Sequence, residues 1–323
     1  MEHTTDPSRG RLGAPIRVLT KLSPQVPAAG TGLRLALFQG EGQAGAESAK
    51  KANLDRAADA VERAADFGAH LVVLPEMWTT GYSLDDGVIR ALAEPADGPS
   101  VEEGRRIARE AGTGLVLPFP ELDPATARVY NAAAVIGADG TLLHVHRKTH
   151  LYGQFERDEF SASDDLPGIV EINGIRVGTL ICYETEFPPL YQHFAEQGAQ
   201  VVVGPTAADG TYRLADDRMS HIPYPDITRH QIPAMACFWG LFVAYANRRG
   251  WERPARCTYD FLGNSGIWGP DGEAMVAVTG ADKMVDSLLI ADCVPATHPR
   301  FSPEGDRVRD NRFRLAATMS PAV

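Results

Sequence analysis

Short, wholly apolar runs that stop at proline, glycine or a charged residue, separated by stretches of helical period, constrain this chain more than any other feature. LRLALFQ (33–39) has the length of a buried strand. SAKKANLDRAADAVERAADFGA (48–69) then places Leu54, Ala57, Ala58, Val61, Ala64 and Ala65 on one helical face. Gly68 supplies the expected helix stop. HLVVLPEM (70–77) shows no polar alternation, as in sheets covered on both faces, and Pro75 ends its ladder because proline has no N–H to donate. Strand, helix, strand is therefore the building unit, and it predicts a layered α/β fold.

The pattern continues through the chain. VEEGRRIAREAG (101–112) is a second amphipathic helix, followed by strand-like TGLVLPFPE, YNAAAVIGADG and TLLHVHRK, the last two joined at an Asp-Gly turn. IVEINGIRVGTLICYE repeats that logic around Asn-Gly. PPLYQHFAEQGA reads as a helix, QVVVGPTA as a strand, 207–226 as a long loop and ITRHQIPAMACF as a helix. LFVAYANR, NSGIWGP, EAMVAVTG and SLLIADC close the series as strands. Pro7, Pro15, Pro24 and Pro27 among Gly, Ser and Thr predict a flexible arm over 1–31, leaving one domain over 32–296 and a charged tail over 297–323.

Composition narrows the function classes. With 44% hydrophobic and 23% charged residues, the chain reads as a globular protein able to bury a site. A net charge of −11 excludes a general basic field for nucleic acid or anionic membrane. Residues 1–31 hold no apolar run expected to serve as a signal or a membrane span. Cys182, Cys237, Cys257 and Cys293 are too scattered for a disulfide framework and form no CxxC pair, so a reducing cytoplasm is the expected location.

Three reactive residues end apolar runs: Glu76 after LVVLP, Lys148 after TLLHVHR, and Cys182 after VGTLI. Ligands of α/β sheets collect at the carboxyl ends of strands, so three such ends predict convergence. Taken singly, each residue reads more readily as a solvated carboxylate, a surface lysine or an inert core thiol than as a functional group. The residues after Cys182 shift that balance, because CYETEFPPLYQHF passes from strand to turn to a helix that Pro188 or Pro189 opens. A thiol there is expected to feel the positive helix end, and a nearby lysine to favour its thiolate.

LPEMWTTGY, HRKTHL and ICYETEFP, in that order, together with VVVGPTA, LFVAYANR and GNSGIWGPDGE, resemble the carbon-nitrogen hydrolases, or nitrilase superfamily. The resemblance covers nearly all of 32–296. It implies a four-layer αββα sandwich that pairs as a homodimer or higher homo-oligomer, and a Glu-Lys-Cys triad of Glu76, Lys148 and Cys182. It also implies a second glutamate, Glu156, in ERDEFSASD, where the usual Pro-Gly is replaced by Ala162-Ser163. On this resemblance Glu76 moves protons, Cys182 attacks the carbonyl carbon, and Lys148 with the Tyr183 backbone N–H holds the oxyanion. No cofactor or metal is required. The expected partner is a small-molecule amide, with Trp78, Tyr82, Tyr152, Phe155 and Thr206 as candidate pocket residues.

Strand alternation also puts His144, His146 and Lys148 on one face, so an HxH metal site of the amidohydrolase barrel type is a rival reading. The consecutive strands over 113–182 do not follow that barrel's eightfold strand-helix plan, which favours a structural or solvent-facing histidine pair. Cys182-Tyr183-Glu184 and KTHLYGQFER look most like amidases and carbamoylases, leaving N-carbamoyl hydrolysis and thioester acyl transfer as alternatives to amide hydrolysis. Met235, Phe238 and Trp239 stand where the family commonly has an Arg and a Glu-Asn pair, so a non-catalytic binding module is the remaining reading.

Overall fold

A computed structural model describes residues 15–214, 219–220, 226–255, 257–297 and 308. The first half runs β1 (Arg17–Lys21), β2 (Leu33–Gln39), α1 (Glu47–Asp66), β3 (Leu71–Val73), α2 (Val88–Leu92), α3 (Pro99–Ala111), β4 (Gly114–Leu122), β5 (Val129–Ile136), β6 (Leu142–Arg147) and α4 (Gly153–Glu159). The second half adds β7 (Ile169–Ile172), β8 (Ile175–Thr179), α5 (Pro188–Glu196), β9 (Val201–Thr206), β10 (Asp209–Leu214), β11 (Met219–Ser220), α6 (Gln231–Trp239), β12 (Phe242–Asn247), β13 (Arg249–Glu252), β14 (Cys257–Leu262), β15 (Gly266–Trp268), β16 (Ala274–Ala277) and β17 (Ser287–Cys293).

Two large sheets face each other, one ordered β1-β17-β2-β3-β4-β5-β6 and the other β16-β15-β12-β9-β8-β7. The period of two in LRLALFQ builds the layers directly. Leu33, Leu35 and Leu37 point between the sheets, where they meet Val177, Val201, Val203, Ala244 and Ile267. Ala36 and Phe38 point outward, against Leu54, Ala57, Val61 and Ala64 of α1. On the far side Val202, Val243 and Tyr245 turn outward against Leu190, Tyr191 and Phe194 of α5 and Ile232, Ala236 and Trp239 of α6. Apolar residues on both faces of these strands thus serve different layers, giving the expected αββα sandwich. Gly178 lets α5 approach β8, since a Cβ there would lie 2.6 Å from the Phe194 ring.

Several expectations need correction. The arm drawn over 1–31 contains β1, which pairs in parallel with β17 from Arg17↔Ser287 to Lys21↔Ala291. The segment after it is pinned as well, because Asp292 accepts the Ser23 N–H at 2.6 Å and Arg34 donates to the Ser23 and Gln25 carbonyls at 3.3 Å. Proline spacing conceals such pinning, which depends on a buried ion pair between residues far apart in the chain. The long loop over 207–226 carries β10 and β11, and a third sheet runs β11-β10-β14-β13; residues 215–218 and 221–225 lie outside the described residues. Of the tail over 297–323, Thr297 and Val308 are described, and Val308 packs against the α5 and α6 cluster. Among the described residues no helix is long and apolar enough to cross a membrane.

Candidate active site

Glu76 lies just past β3, in a segment held by backbone and guanidinium contacts. Its N–H donates to the Thr206 carbonyl at 3.3 Å. Arg248, at the end of β12, donates to the carbonyls of Glu76 at 2.9 Å and Met77 at 3.0 Å. Met77 is thereby kept at φ +50°, a conformation costly for any residue with a Cβ. Arg248 is itself paired with buried Glu252 at 2.6 Å, and Glu252 accepts the N–H groups of Tyr82 and Ser83. One buried ion pair therefore shapes the backbone from 76 to 83.

Lys148 follows β6 directly, with its N–H on the Asn131 carbonyl at 2.8 Å. Its Nζ donates at 2.7 Å to Oε1 of Glu76 and at 2.7 Å to Oε1 of Glu156. All three side chains are fully buried. Glu156 stands in the first turn of α4 rather than in an irregular loop, and it also accepts the Tyr82 hydroxyl and the Tyr152 N–H, both at 2.8 Å. Asn131 Nδ2 donates to Glu76 Oε1 at 2.8 Å, while Glu76 Oε2 is buried with no hydrogen-bond partner among the described residues. The ammonium has three donors and spends two on carboxylates, leaving one available.

Cys182 comes after β8 at φ +50°, the first residue of a 3-10 turn, Cys182–Glu186. The α-helix begins only at Pro188, so the sulfur does not occupy a helix N-terminus as the strand-to-helix reading expects. Glu184 organises this turn. Its Oε2 accepts the Ile181 N–H at 2.6 Å and meets His146 Nε2 at 2.7 Å, and its Oε1 accepts the Thr149 N–H and hydroxyl at 2.7 and 2.6 Å. Burial alone would raise the Glu184 carboxyl, yet His146, Thr149 and the Ile181 N–H outweigh it and hold it at about 2. This strap ties the chain after β6, which bears Lys148, to the chain after β8, which bears Cys182.

His146 is thus a structural partner of Glu184, and its companion His144 is half-buried with its imidazole pushed down by burial and by His146. Among the described residues no group of three His, Cys, Asp or Glu side chains is placed to hold a metal.

Electrostatics refine the expected thiolate. Burial pushes the Cys182 thiol well up, Glu76 pushes it further, and the opposing pull of Lys148 does not prevail, so the sulfur rests protonated near neutral pH. Burial draws the Lys148 ammonium down, but Glu156, Glu76 and Cys182 more than reverse this. Burial raises the Glu156 carboxyl against the pull of Lys148, and it raises the Tyr82 hydroxyl with help from Glu156.

A cleft of about 300 Å³, counting its open mouth, reaches Cys182 and is lined by Tyr82, Tyr152, Tyr183 and Tyr245, with Ala207, Ala208, Glu186 and Asp209 completing the lining. Tyr82 and Tyr152 stand where the pocket was expected. Trp78, Phe155 and Thr206 are not part of this lining. Trp78 is fully buried edge-on to Phe38 with its Nε1 on the Asn53 carbonyl, Phe155 packs against Tyr82, and Thr206 turns its hydroxyl back to the Gly204 carbonyl. Each satisfies local packing or hydrogen bonding, which outweighs proximity in sequence to the reactive groups. The sequence reading missed Asn131, Arg248, Glu252 and Asp209, and passed over the strap role of Glu184. Asn131 was detectable as the one polar residue opening the apolar run NAAAVI.

The family model described as Carbon-nitrogen hydrolase matches residues 34–298. Among similar proteins, "Hydrolase in pqqF 5'region" of Pseudomonas protegens is 37% identical over 231 residues, covering 72% of this chain and 74% of that protein. Omega-amidase NIT2 of Xenopus tropicalis is 31% identical, covering 75% of this chain and 83% of its own. The crystal structure of an amidase from Nesterenkonia sp. superposes with a TM-score of 0.71 at 26% identity, covering 90% of this chain and 97% of that one. A variant of that amidase shows covalent addition of the acetamide moiety of fluoroacetamide at the active-site cysteine, with a TM-score of 0.70 at 26% identity over 89% of this chain and 97% of that one.

Proposed function

The chain belongs to the carbon-nitrogen hydrolase family and is an enzyme acting on C–N bonds through a cysteine; on that premise we propose that it hydrolyses a small carboxamide through a Cys182 thioester and releases ammonia or a small amine. The observation that carries this reading is the buried, partnerless Oε2 of Glu76, in the same enclosed cluster as the protonated Cys182 thiol. A carboxylate oxygen left without a donor is an acceptor for a proton in transit.

In this scheme Glu76 takes the Sγ proton as sulfur bonds to the carbonyl carbon. The oxyanion is met by the spare donor of Lys148 and by the Tyr183 backbone N–H, interactions whose loss typically costs on the order of 3 kcal/mol of barrier each. Collapse breaks the C–N bond while Glu76 returns its proton to the leaving nitrogen. Water then gives a proton to Glu76 and bonds to the thioester carbon, the C–S bond breaks, and the proton goes back to sulfur. Glu156, holding Lys148 and the Tyr82 hydroxyl, keeps the ammonium aimed. The working unit is expected to be a homodimer or higher homo-oligomer.

Trapping the acyl-enzyme and weighing it by mass spectrometry tests the proposal. The expected adduct maps to Cys182 and carries the mass of the acyl half. Carbon dioxide among the products would instead favour N-carbamoyl hydrolysis, and unchanged turnover in Cys182→Ala would exclude the thioester route.

A further inference from the structure

Asp209 opens β10 and lines the same cleft as Cys182, yet the residue is 8% exposed and its carboxyl has no ion-pair partner and no hydrogen bond from another side chain among the described residues. Buried carboxylates are ordinarily paired or coordinated, because an isolated buried anion forfeits its hydration. Burial, with a smaller push from Asp260, outweighs the hydrogen bond from its own backbone N–H and raises the Asp209 carboxyl to about 6, so near neutral pH it is largely an anion with no counter-charge among the described residues. Glu186 lines the same cleft and adds a second acidic residue to it. The other polar lining comes from tyrosines, and among the described residues no Lys or Arg lines the cleft.

We propose that Asp209 is a specificity-determining residue, and that the amide processed at Cys182 carries a primary ammonium or comparable cation on a short arm of its acyl part, which Asp209 receives. This rests on the amidase reading of the site and deepens it by naming the substrate class. The arm is short because Asp209 and Cys182 line one and the same cleft. A ligand ammonium supplies the counter-charge that the described residues do not. A neutral isostere leaves the anion unpaired, and sites built around one polar group discriminate strongly against analogues that lack it.

The test compares 3-aminopropanamide, cationic at about pH 7.5, with its neutral isostere butyramide. For the wild type, kcat/KM for 3-aminopropanamide is expected to exceed that for butyramide by about tenfold or more, and Asp209→Asn to lower that ratio by a similar factor. A wild-type ratio of one or below, or a ratio unmoved in Asp209→Asn, overturns the inference while leaving amide hydrolysis intact. Calorimetric titration of Cys182→Ala with the same two amides reads the selectivity without chemistry. Tighter binding of the cation, lost in Cys182→Ala/Asp209→Asn, supports the inference, and equal binding overturns it. Failure of every amide to release ammonia while the cation still binds more tightly sinks the amidase reading alone.

Discussion

At the scale of single residues, two strained positions stand in the candidate site: Met77 next to Glu76, and Cys182 itself, both at φ near +50°. A Cβ in this region costs roughly 1 kcal/mol relative to glycine. Cys182→Gly should therefore be more stable than Cys182→Ala by about that amount in chemical denaturation, with neither variant forming an acyl-enzyme; equal stabilities would show that the turn relaxes without the side chain. Asp209 gives the second residue-scale prediction. Its carboxyl is raised in the fold from 3.8 to about 6, so the folded state binds the proton more tightly and loses stability as pH rises through that window. Asp209→Asn removes this loss. Its melting temperature should exceed that of the wild type at about pH 7.5, and the gain should shrink toward pH 4.

At the scale of elements, the sandwich was legible because short apolar runs and helical periods are local signals. β2, β4, β8, β9, β12 and β17 each appear as such runs, and Glu76, Lys148 and Cys182 stand out as candidates because each ends one. What stayed hidden depends on contacts distant in sequence. β1 becomes a strand by pairing with β17, and β10 by pairing with β14, so neither needs a strong local pattern. The Glu184 strap was equally invisible, since its partners His146 and Thr149 lie 38 and 35 residues away. Glu184→Gln keeps the shape of the strap but removes its charge, and is expected to cost about 3 kcal/mol of stability as a broken buried pair. Because the carboxyl is held down at about 2, the wild-type contribution persists at neutral pH and fades as pH falls from the ordinary 4.5 toward 2, where the two proteins should converge.

At the scale of the whole molecule, both chain ends of the sandwich close on one edge of the first sheet. Arg34 and Asp292 join β2 to β17 through two hydrogen bonds at 2.7 and 2.9 Å and also pin the segment after β1. Asp292→Ala leaves a buried guanidinium without its counter-ion and should lower global stability by about 3 kcal/mol, read as one cooperative transition in urea. Two melts would mean that this edge unfolds by itself. The charge held around the sulfur has a wider consequence. Two carboxylates share one ammonium while the thiol stays neutral, so the enclosed cluster sums to −1 when both are ionised, and Asp209 deepens that deficit at the entrance, within a chain of net charge −11. An anion approaching Cys182 therefore travels uphill. Iodoacetate should alkylate this cysteine far more slowly than iodoacetamide of nearly the same size, and added salt should narrow the gap by screening the field.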